Sequence, residues 1–437
     1  MRINRFRRSG LWRHGDFVKL WTGETVSVFG SLVGHSALSF TAVLVLHASA
    51  LEVGVLAAAH LVPDILFGLV AGVWVDRLRR RPLMIIADVG RFVALATIPL
   101  AYAFDQLSIG QLFAVAFFTG TFEIFFDVSY QAYLPSLVEK ENILEGNSKM
   151  AASQSVAEVA GFGISGWLVQ IFNGPIAVLV DAVSFLASAF ALITIGKSEP
   201  EPPPVEHRTG VREEIVEGGR AIARNPILRS MLVAHDLSGF AFRMYGAVFL
   251  LYVVDIGFKP GVLGLVWGVG GATSLIGAMY AGRAAKRLGL GPALSVGLAG
   301  MGVMMFLIPA ARDASFLALL ATIGAQFGDG VYMIWQVNSQ TLRQSITAPE
   351  LLGRVTSGYR VSNTVAMLLG ALAGGVAGEL IGLRATLTVA SAIMVASGAW
   401  LIVTPVWSMR AAPAPAGSHP EPIIVIGDAL GGVAGEG

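Results

Sequence analysis

The sequence contains 437 residues, of which 54% are hydrophobic and 14% are charged. Soluble domains carry charged residues at about 25% of their positions, so this composition excludes an ordinary soluble protein. The net charge of +1 gives no reason to expect nucleic acid as a partner, and the absence of cysteine excludes disulfides, thiolate metal sites and thiol nucleophiles.

Apolar runs long enough to cross a membrane follow one another along the chain. A bilayer core about 30 Å thick needs roughly 20 apolar residues per helix, since every backbone amide must be satisfied within the segment. Twelve such runs are separated by glycine, proline or charged residues. The predicted spans are 17–46, 51–75, 83–103, 108–132, 146–172, 174–196, 228–255, 261–284, 292–311, 314–341, 353–380 and 383–409.

Basic residues lie mainly on one side of the predicted membrane. All but six of the 30 Lys and Arg residues lie in four kinds of segment, counted with their flanks. These are the amino-terminal arm (1–16), the loops after even-numbered spans, the central linker (197–227) and the tail (410–437). Cytoplasmic loops carry such an excess of positive charge. The sequence therefore predicts a multi-pass protein of a bacterial plasma membrane with both termini in the cytoplasm.

The central linker consists of two different stretches. It begins with the proline-rich sequence KSEPEPPPVEHR, which cannot form a helix, and continues as VREEIVEGGRAIARNP. Val211, Ile215 and Ile222 form a single apolar face on the second stretch, which predicts an amphipathic surface helix. The tail beyond Arg410 is rich in alanine and proline, so we predict that it is disordered.

An internal repeat is found when the chain is aligned with itself at an offset of 209 or 210 residues. Aligned pairs include Gly54 with Gly264, Gly72 with Gly282, Gly161 with Gly370 and Gly166 with Gly375. The predicted fold is therefore an all-α membrane protein whose twelve transmembrane helices form two pseudo-symmetric six-helix halves, 17–196 and 228–409. Repeats of this kind place a substrate cavity between the halves near the membrane midplane.

The loop GVWVDRLRRRP between the second and third spans resembles the signature loop of the major facilitator superfamily. Arg79 stands where that pattern usually has a second glycine. Within the superfamily, LWTGETVSVFG, FFDVSYQAYLPSLV and LVDAVSFLAS resemble bacterial exporters of the enterobactin-exporter and macrolide-efflux type. The resemblance covers residues 20–409 and implies the same fold and an export function. The matching loop residues are Gly72, Asp76, Arg77, Arg80 and Arg81.

A carboxylate and several guanidinium groups at one helix end can form a charge network that breaks and re-forms, which suits a gate. We predict such a gating contact for Asp76 with Arg77, although the loop arginines could instead only set topology, the favoured interpretation for Arg79. Four further charged residues near cytoplasmic helix ends are predicted to join the gate, with a purely structural ion pair as the alternative. These are Asp88 and Arg91, three residues apart on the third span, and Asp127 and Arg360, each near the cytoplasmic end of its own helix.

Glycines recur on the fifth and eleventh spans, where small faces let helices approach closely. The fifth-span stretch AGFGISGW resembles the antiporter motif of drug exporters, but Phe162 replaces its proline, which weakens the inference of antiport. Ordinary helix packing is the alternative to a sliding or gating role. The predicted packing glycines are Gly161, Gly166, Gly370, Gly374 and Gly378.

Ionisable residues inside the membrane are costly, so each is a functional candidate. Asp64 and Glu158 are the carboxylates predicted to couple transport to protons. Arg243, near the midplane, is predicted either to contact substrate or to pair with Asp236 or Asp329. Weaker candidates, which could simply hydrogen-bond a neighbouring helix, are Glu24, His35, His60 and Glu123. The scattered histidines show no ligand spacing, so no metal site is predicted.

These features favour a secondary active transporter that exports an amphipathic small molecule, such as a drug, a macrolide or a siderophore-like compound, by alternating access. Proton antiport would drive it, with no cofactor, and its partners would be its substrate, protons and membrane lipids. Two alternatives remain: an uptake symporter for a polar nutrient, and a non-transporting receptor or scaffold. An enzyme is not predicted, because no catalytic constellation is present. Aromatic candidates for an apolar cavity lining are Phe117, Phe118, Phe122, Phe240, Phe242, Tyr332 and Trp335.

Overall fold

The computed structural model describes residues 10–75, 77–197, 199 and 211–413. Four sets of predictions lie outside these described residues. They concern the first nine residues, Asp76, the tether at 200–210 and the tail beyond residue 413. Within them, twelve spans are long and apolar enough to cross a membrane, which confirms the predicted number.

The helices of the first half are α1 (Gly15–Phe40, continued by a π-helical turn at Thr41–Val45), α2 (Ala50–Val75), α3 (Arg80–Ala103), α4 (Ile109–Leu137), α5 (Ile143–Phe172) and α6 (Gly174–Ile193). A linker helix, α7, covers Val211–Arg224. The second half contains α8 (Pro226–Asp255), α9 (Pro260–Leu288), α10 (Leu290–Met305), α11 (Leu307–Ala310), α12 (Phe316–Ala325), α13 (Phe327–Ile346), α14 (Pro349–Ile381) and α15 (Leu383–Ile402). One span is formed by α10 with α11 and another by α12 with α13.

Most predicted boundaries lie within four residues of the observed ones, and the fourth, tenth and twelfth spans differ more. Helix α4 continues five residues past the predicted end, to Leu137, because Tyr133, Leu134 and Leu137 are buried against the first half. Helix α15 ends at Ile402 rather than at 409, and a series of turns follows it. Within those turns Val406 is fully buried, whereas Val403 and Trp407 are exposed.

The two halves meet along two helix pairs, α2 with α14 and α5 with α9. These pairs are equivalent under the internal repeat, since they join the second helix to the eleventh span and the fifth to the eighth. Helices α1 and α8 lie closer to the middle of the molecule, and α8 also contacts α2. This arrangement leaves space between the halves, as the repeat predicted.

The hydrophobic core shows on which side the halves are joined. We call the membrane side that carries the start of α1 and both ends of the linker the linker side, and the opposite side the far side. On the far side one cluster contains residues from both halves, including Phe40, Val253 and Leu263. On the linker side each half has its own cluster, around Phe17 in the first half and around Trp335 in the second. The halves are therefore closed together on the far side and separate on the linker side.

Glycines allow this far-side contact. A Cβ atom added to Gly166 of α5 would lie 2.8 Å from the Cα atom of Gly264 in α9, and one added to Gly54 of α2 would lie 2.6 Å from the carbonyl oxygen of Ala371 in α14. Of the five predicted packing glycines, Gly166 and Gly378 face the other half. The remaining three, Gly161, Gly370 and Gly374, face helices of their own half, so ordinary packing accounts for them.

The linker helix α7 packs against α14 of the second half. Ile222 is buried in the linker-side cluster of that half, in keeping with the predicted apolar face. Glu217 and Arg354 form an ion pair at this contact. A Cβ atom added to Gly218 would lie 2.6 Å from the carbonyl oxygen of Arg354, whereas one added to Gly219 would meet nothing within 4 Å.

We expect Gly218→Ala to loosen α7 by about 1–3 kcal/mol, since overpacking against a backbone oxygen forces the helix away. Tryptic cleavage at Arg220 and Arg224 in the purified protein should then accelerate on the order of tenfold, because cleavage follows the population of the open state. Gly219→Ala, the control on the neighbouring residue, should slow cleavage or leave it unchanged, since alanine favours a helix by up to about 1 kcal/mol over glycine. Equal cleavage rates for the two variants would contradict the observed contact.

Candidate functional site

A cavity of about 240 Å³ lies between the halves. Helices α1, α2, α3, α4 and α6 of the first half form most of its wall, and α8 supplies the contribution of the second half. Its lining contains six ionisable side chains, and most of its other residues are small or apolar. The six ionisable residues are His35, His60, Arg91, Glu123, Asp181 and Arg243.

Arg91 is the most enclosed cation of the cavity wall. Its Nη2 atom donates to Asp88 Oδ1 at 2.5 Å, and its guanidinium carbon lies 4.0 Å from the centre of the Phe185 ring and 4.5 Å from that of Phe126. Both members of the ion pair are buried within the first half. The structure thus brings the predicted pair together inside one half. This geometry agrees better with a purely structural ion pair than with a gate at the signature loop.

The signature loop lies at the linker side, away from the cavity. Asp76 lies outside the described residues, and Gly72 faces open space, because an added Cβ would meet nothing within 4 Å. Arg77 and Arg79 are exposed.

The two remaining arginines of the loop start α3. The backbone N–H groups of Arg80 and Arg81 donate to the two carboxylate oxygens of Glu199, at 2.8 and 3.1 Å. A carboxylate at a helix amino terminus is favoured by the helix dipole. The Arg81 guanidinium donates to the carbonyl oxygens of Leu192 and Ile193 at the end of α6. Glu199 was not predicted as a site residue, because no sequence pattern links it to a helix that begins 119 residues earlier.

A polar bridge connects the two halves near the middle of the α2–α14 contact. Asp64 Oδ1 accepts a hydrogen bond from Arg360 Nη2 at 2.6 Å, and its Oδ2 accepts one from Thr364 Oγ1 at 2.9 Å. Asp127 of α4 lies within electrostatic range of both Arg360 and Asp64. The sequence predicted Asp127 and Arg360 as members of the gate and Asp64 as a proton-coupling carboxylate, and the structure makes Asp64 the direct partner of Arg360.

The predicted pairing of Arg243 with Asp236 or Asp329 is wrong for the described residues, where no such ion pair is formed. Asp236 Oδ2 instead accepts a hydrogen bond from Ser362 Oγ on α14. Arg243 lies two turns along α8 and faces the cavity, with its buried Nε atom unpartnered. Asp329 lies beside Gly270 of α9, away from the cavity lining.

Glu158 and Glu24 also lie apart from the cavity. Glu158 accepts a hydrogen bond from Gln154, one turn earlier on the same helix, at 3.3 Å. Glu24 has a buried carboxylate oxygen with no partner among the described residues. The three other weaker candidates do line the cavity: His35, His60 and Glu123. The candidates with the least specific sequence signal are therefore the ones that the structure places in the cavity wall.

The aromatic residues predicted to line a cavity lie elsewhere than in the wall of this one. None of the seven aromatic candidates belongs to the described cavity wall, whose single phenylalanine is Phe185. Trp335 is fully buried in the core of the second half, and Phe118 and Phe242 expose about half of their surface elsewhere. Hydrophobic character alone could not distinguish these positions, because rings facing lipid, core and cavity are equally compatible with a transmembrane sequence.

Comparisons with known proteins agree with this architecture. The family model described as Major Facilitator Superfamily matches residues 25–342. The chain is 27% identical over 373 residues to the multidrug efflux pump Tap of Mycolicibacterium fortuitum (82% of this chain, 88% of that protein) and 24% identical over 388 residues to macrolide efflux protein A of Streptococcus pyogenes (84% and 90%).

Solved structures with low sequence identity share the fold. A mutant form of the nucleoside transporter NupG has a TM-score of 0.74 at 10% identity, covering 89% of this chain and 99% of that one. A bacterial homologue of the iron transporter ferroportin, solved in an inward-facing state, has a TM-score of 0.69 at 18% identity, covering 89% and 98%. At these identities the likeness concerns the fold alone.

Proposed function

The chain belongs to the major facilitator superfamily, and we propose that it is a proton-coupled exporter of an amphipathic small molecule that works by alternating access in a bacterial plasma membrane. A drug, a macrolide or a siderophore-like compound has the required chemistry. The linker side faces the cytoplasm in this proposal, as the distribution of Lys and Arg predicts.

One observation carries the proposal: a cavity with ionisable side chains in its wall lies between two halves that are joined on the far side and separate on the linker side. A cavity that opens to one side through the separation of two similar halves can open to the other side when the halves rock. Arg243 of α8 and the ionisable side chains of the first half line the same space, so a bound molecule would contact both halves.

An apolar groove between α1 and α5 supports an amphipathic substrate. It lies on the linker side and is lined by Trp12, Trp21, Val26, Phe29 and neighbouring small residues. Its polar edge is formed by Lys149, whose Nζ atom lies 4.2 Å from the centre of the Trp12 ring. A molecule with an apolar body and a polar or charged end would find surfaces for both of these along this groove.

The Asp64–Arg360 bridge supports proton coupling. Protonation of Asp64 would remove the charge that holds Arg360 and so weaken a contact between the halves. The membrane potential supplies about 2.3 kcal/mol per elementary charge and 100 mV, which is comparable to the strength of such a contact. The direction of transport rests on the relatives that are named as efflux pumps.

The test is the accumulation of a macrolide and of a lipophilic fluorescent cation in cells that express the protein or carry the empty vector. We expect expressing cells to accumulate less of at least one compound and an uncoupler to abolish the difference. Higher accumulation in expressing cells would favour the uptake alternative. No difference in cells, together with no movement in vesicles reconstituted with the purified protein, would favour the receptor or scaffold.

A further inference from the structure

Three side chains that can bind metal ions meet in the wall of the cavity. His35 of α1, His60 of α2 and Glu123 of α4 each offer a ligand atom, and these atoms lie within 4.8 Å of one another. His60 Nε2 and Glu123 Oε2 are 3.3 Å apart, and the two imidazole rings are in edge-to-face contact with their centres 5.1 Å apart. We call these three residues the His–His–Glu cluster.

The spacing fits a coordinated ion. Ligands about 2.0–2.2 Å from a tetrahedral zinc ion are about 3.4 Å from one another, close to the observed separation of His60 and Glu123. His35 is the most exposed of the three, and its ligand atom lies within 4.8 Å of the other two. Two histidines and one glutamate constitute a known three-ligand zinc set that leaves a further position open.

One imidazole ring of the cluster is held from behind by a backbone carbonyl group. His35 Nδ1 lies 2.8 Å from the carbonyl oxygen of Ser31, one turn earlier on α1. The carbonyl oxygen of Ala116 on α4 lies near the ring of His60. A ring that donates one N–H to a carbonyl presents the lone pair of its other nitrogen, which is the usual arrangement of metal-binding histidines. The cluster therefore presents nitrogen and carboxylate ligands to one point.

The cluster can be reached from the cavity. The side chains of His60 and Glu123 expose 26% and 39% of their surface, and His35 is also exposed. His60 lies ten residues from the start of α2 and Glu123 fourteen from the start of α4, so the cluster is about 15–21 Å from the far-side helix ends. It lies deep in the membrane but is open to the space between the halves.

One carboxylate and one guanidinium group face the cluster with opposite charges. With neutral histidines, Glu123 contributes one negative charge, Arg243 contributes one positive charge, and Arg91 is neutralised by Asp88. Asp181 lies within electrostatic range of His35, and Arg243 within that of His60. The negative charge of Glu123 attracts a cation, while Arg243 weakens its binding and so aids its release.

We propose that the His–His–Glu cluster binds a divalent first-row transition-metal ion, such as Zn²⁺ or Co²⁺, within the cavity. Imidazole nitrogen with one carboxylate suits these ions, whereas Mg²⁺ and Ca²⁺ prefer oxygen ligands alone. The site would be open to water or to a donor atom of a bound molecule at its remaining position. This inference goes beyond the proposed function and does not depend on it, because binding can be measured without transport.

The experiment is equilibrium binding of Co²⁺, followed by its visible absorption, and competition by Zn²⁺, with the purified full-length protein in lipid nanodiscs. We expect one Co²⁺ per chain, displaced by Zn²⁺, and at least tenfold weaker binding in His35→Asn, His60→Gln and Glu123→Gln. His47→Asn, an exposed histidine with a positive φ of 50° that asparagine tolerates, is the control and should bind as the wild type does. Arg243→Gln should bind several-fold more tightly.

Two results would overturn the proposal: no saturable binding of either ion by the wild type, or binding that the three cluster variants leave unchanged. If a variant fails to fold, the wild type still provides a test, since Zn²⁺ should protect His35 and His60 from histidine modification and leave His47 reactive. If Zn²⁺ leaves the modification rates of His35, His60 and His47 all unchanged, the result would count against the site. A protein that binds the metal but exports no macrolide would contradict the proposed function and leave this inference standing.

Discussion

Asp64→Asn is expected to reduce proton-driven efflux at least tenfold. The amide cannot carry the negative charge that holds Arg360 of the other half, and a hydrogen bond to a charged group contributes about 1.5–3 kcal/mol. It also cannot gain and lose a proton, so the contact between the halves would no longer respond to pH. The measurement is the efflux of whichever compound the accumulation assay identifies, with and without an uncoupler and over a range of external pH.

Glu158→Gln is the matched control for this change. It makes the same change in charge on a transmembrane helix, but Glu158 is hydrogen-bonded only within its own helix, to Gln154. We expect its efflux to stay within about twofold of the wild type, since contacts of this exposed kind contribute little. The double variant Asp64→Arg with Arg360→Asp exchanges the two partners and should restore some of the ion-pair contact between the halves. Normal, uncoupler-sensitive efflux by Asp64→Asn would rule out the bridge as the proton-sensitive contact.

Gly166→Ala is expected to hinder the closed far side and to reduce transport on the order of tenfold. The added methyl group would lie 2.8 Å from the Cα and N atoms of Gly264 and even closer to the carbonyl oxygen of Pro260, so backbone would have to move. Overpacking of this kind costs about 1–3 kcal/mol, which corresponds to a shift of roughly 5- to 150-fold between two conformations. The resting protein should therefore open more often on the far side.

Gly163→Ala, one turn earlier on α5, provides the control, because its methyl group would meet nothing within 4 Å. Closure can be measured at the equivalent α2–α14 contact, where the Leu51 N–H group donates to Glu379 Oε1. The chain has no cysteine, so Leu51→Cys with Glu379→Cys can be joined by a short thiol crosslinker without further changes. Crosslinking should be slower with Gly166→Ala and unchanged with Gly163→Ala, and equal rates in both would contradict the prediction.

The site was only partly predictable from the sequence. The cost of charge in the membrane identified Asp64 and Arg243 as candidates, and the structure places the first in the bridge and the second in the cavity wall. Their partners were not predictable, because Asp64 and Arg360 are separated by 296 residues and no local spacing relates them. The His–His–Glu cluster was missed for the same reason, since its members lie on three different helices.

The sequence by itself determined the twelve spans, the two halves and the family. A bilayer requires about 20 apolar residues for each helix, and the repeat and the signature loop are read directly along the chain. The tertiary structure decided which charged groups meet, which glycines join the halves, and which side is closed. Those properties depend on how each helix is rotated about its axis and packed against helices far away in sequence, and an almost uniformly apolar helix carries little periodicity from which that rotation can be read.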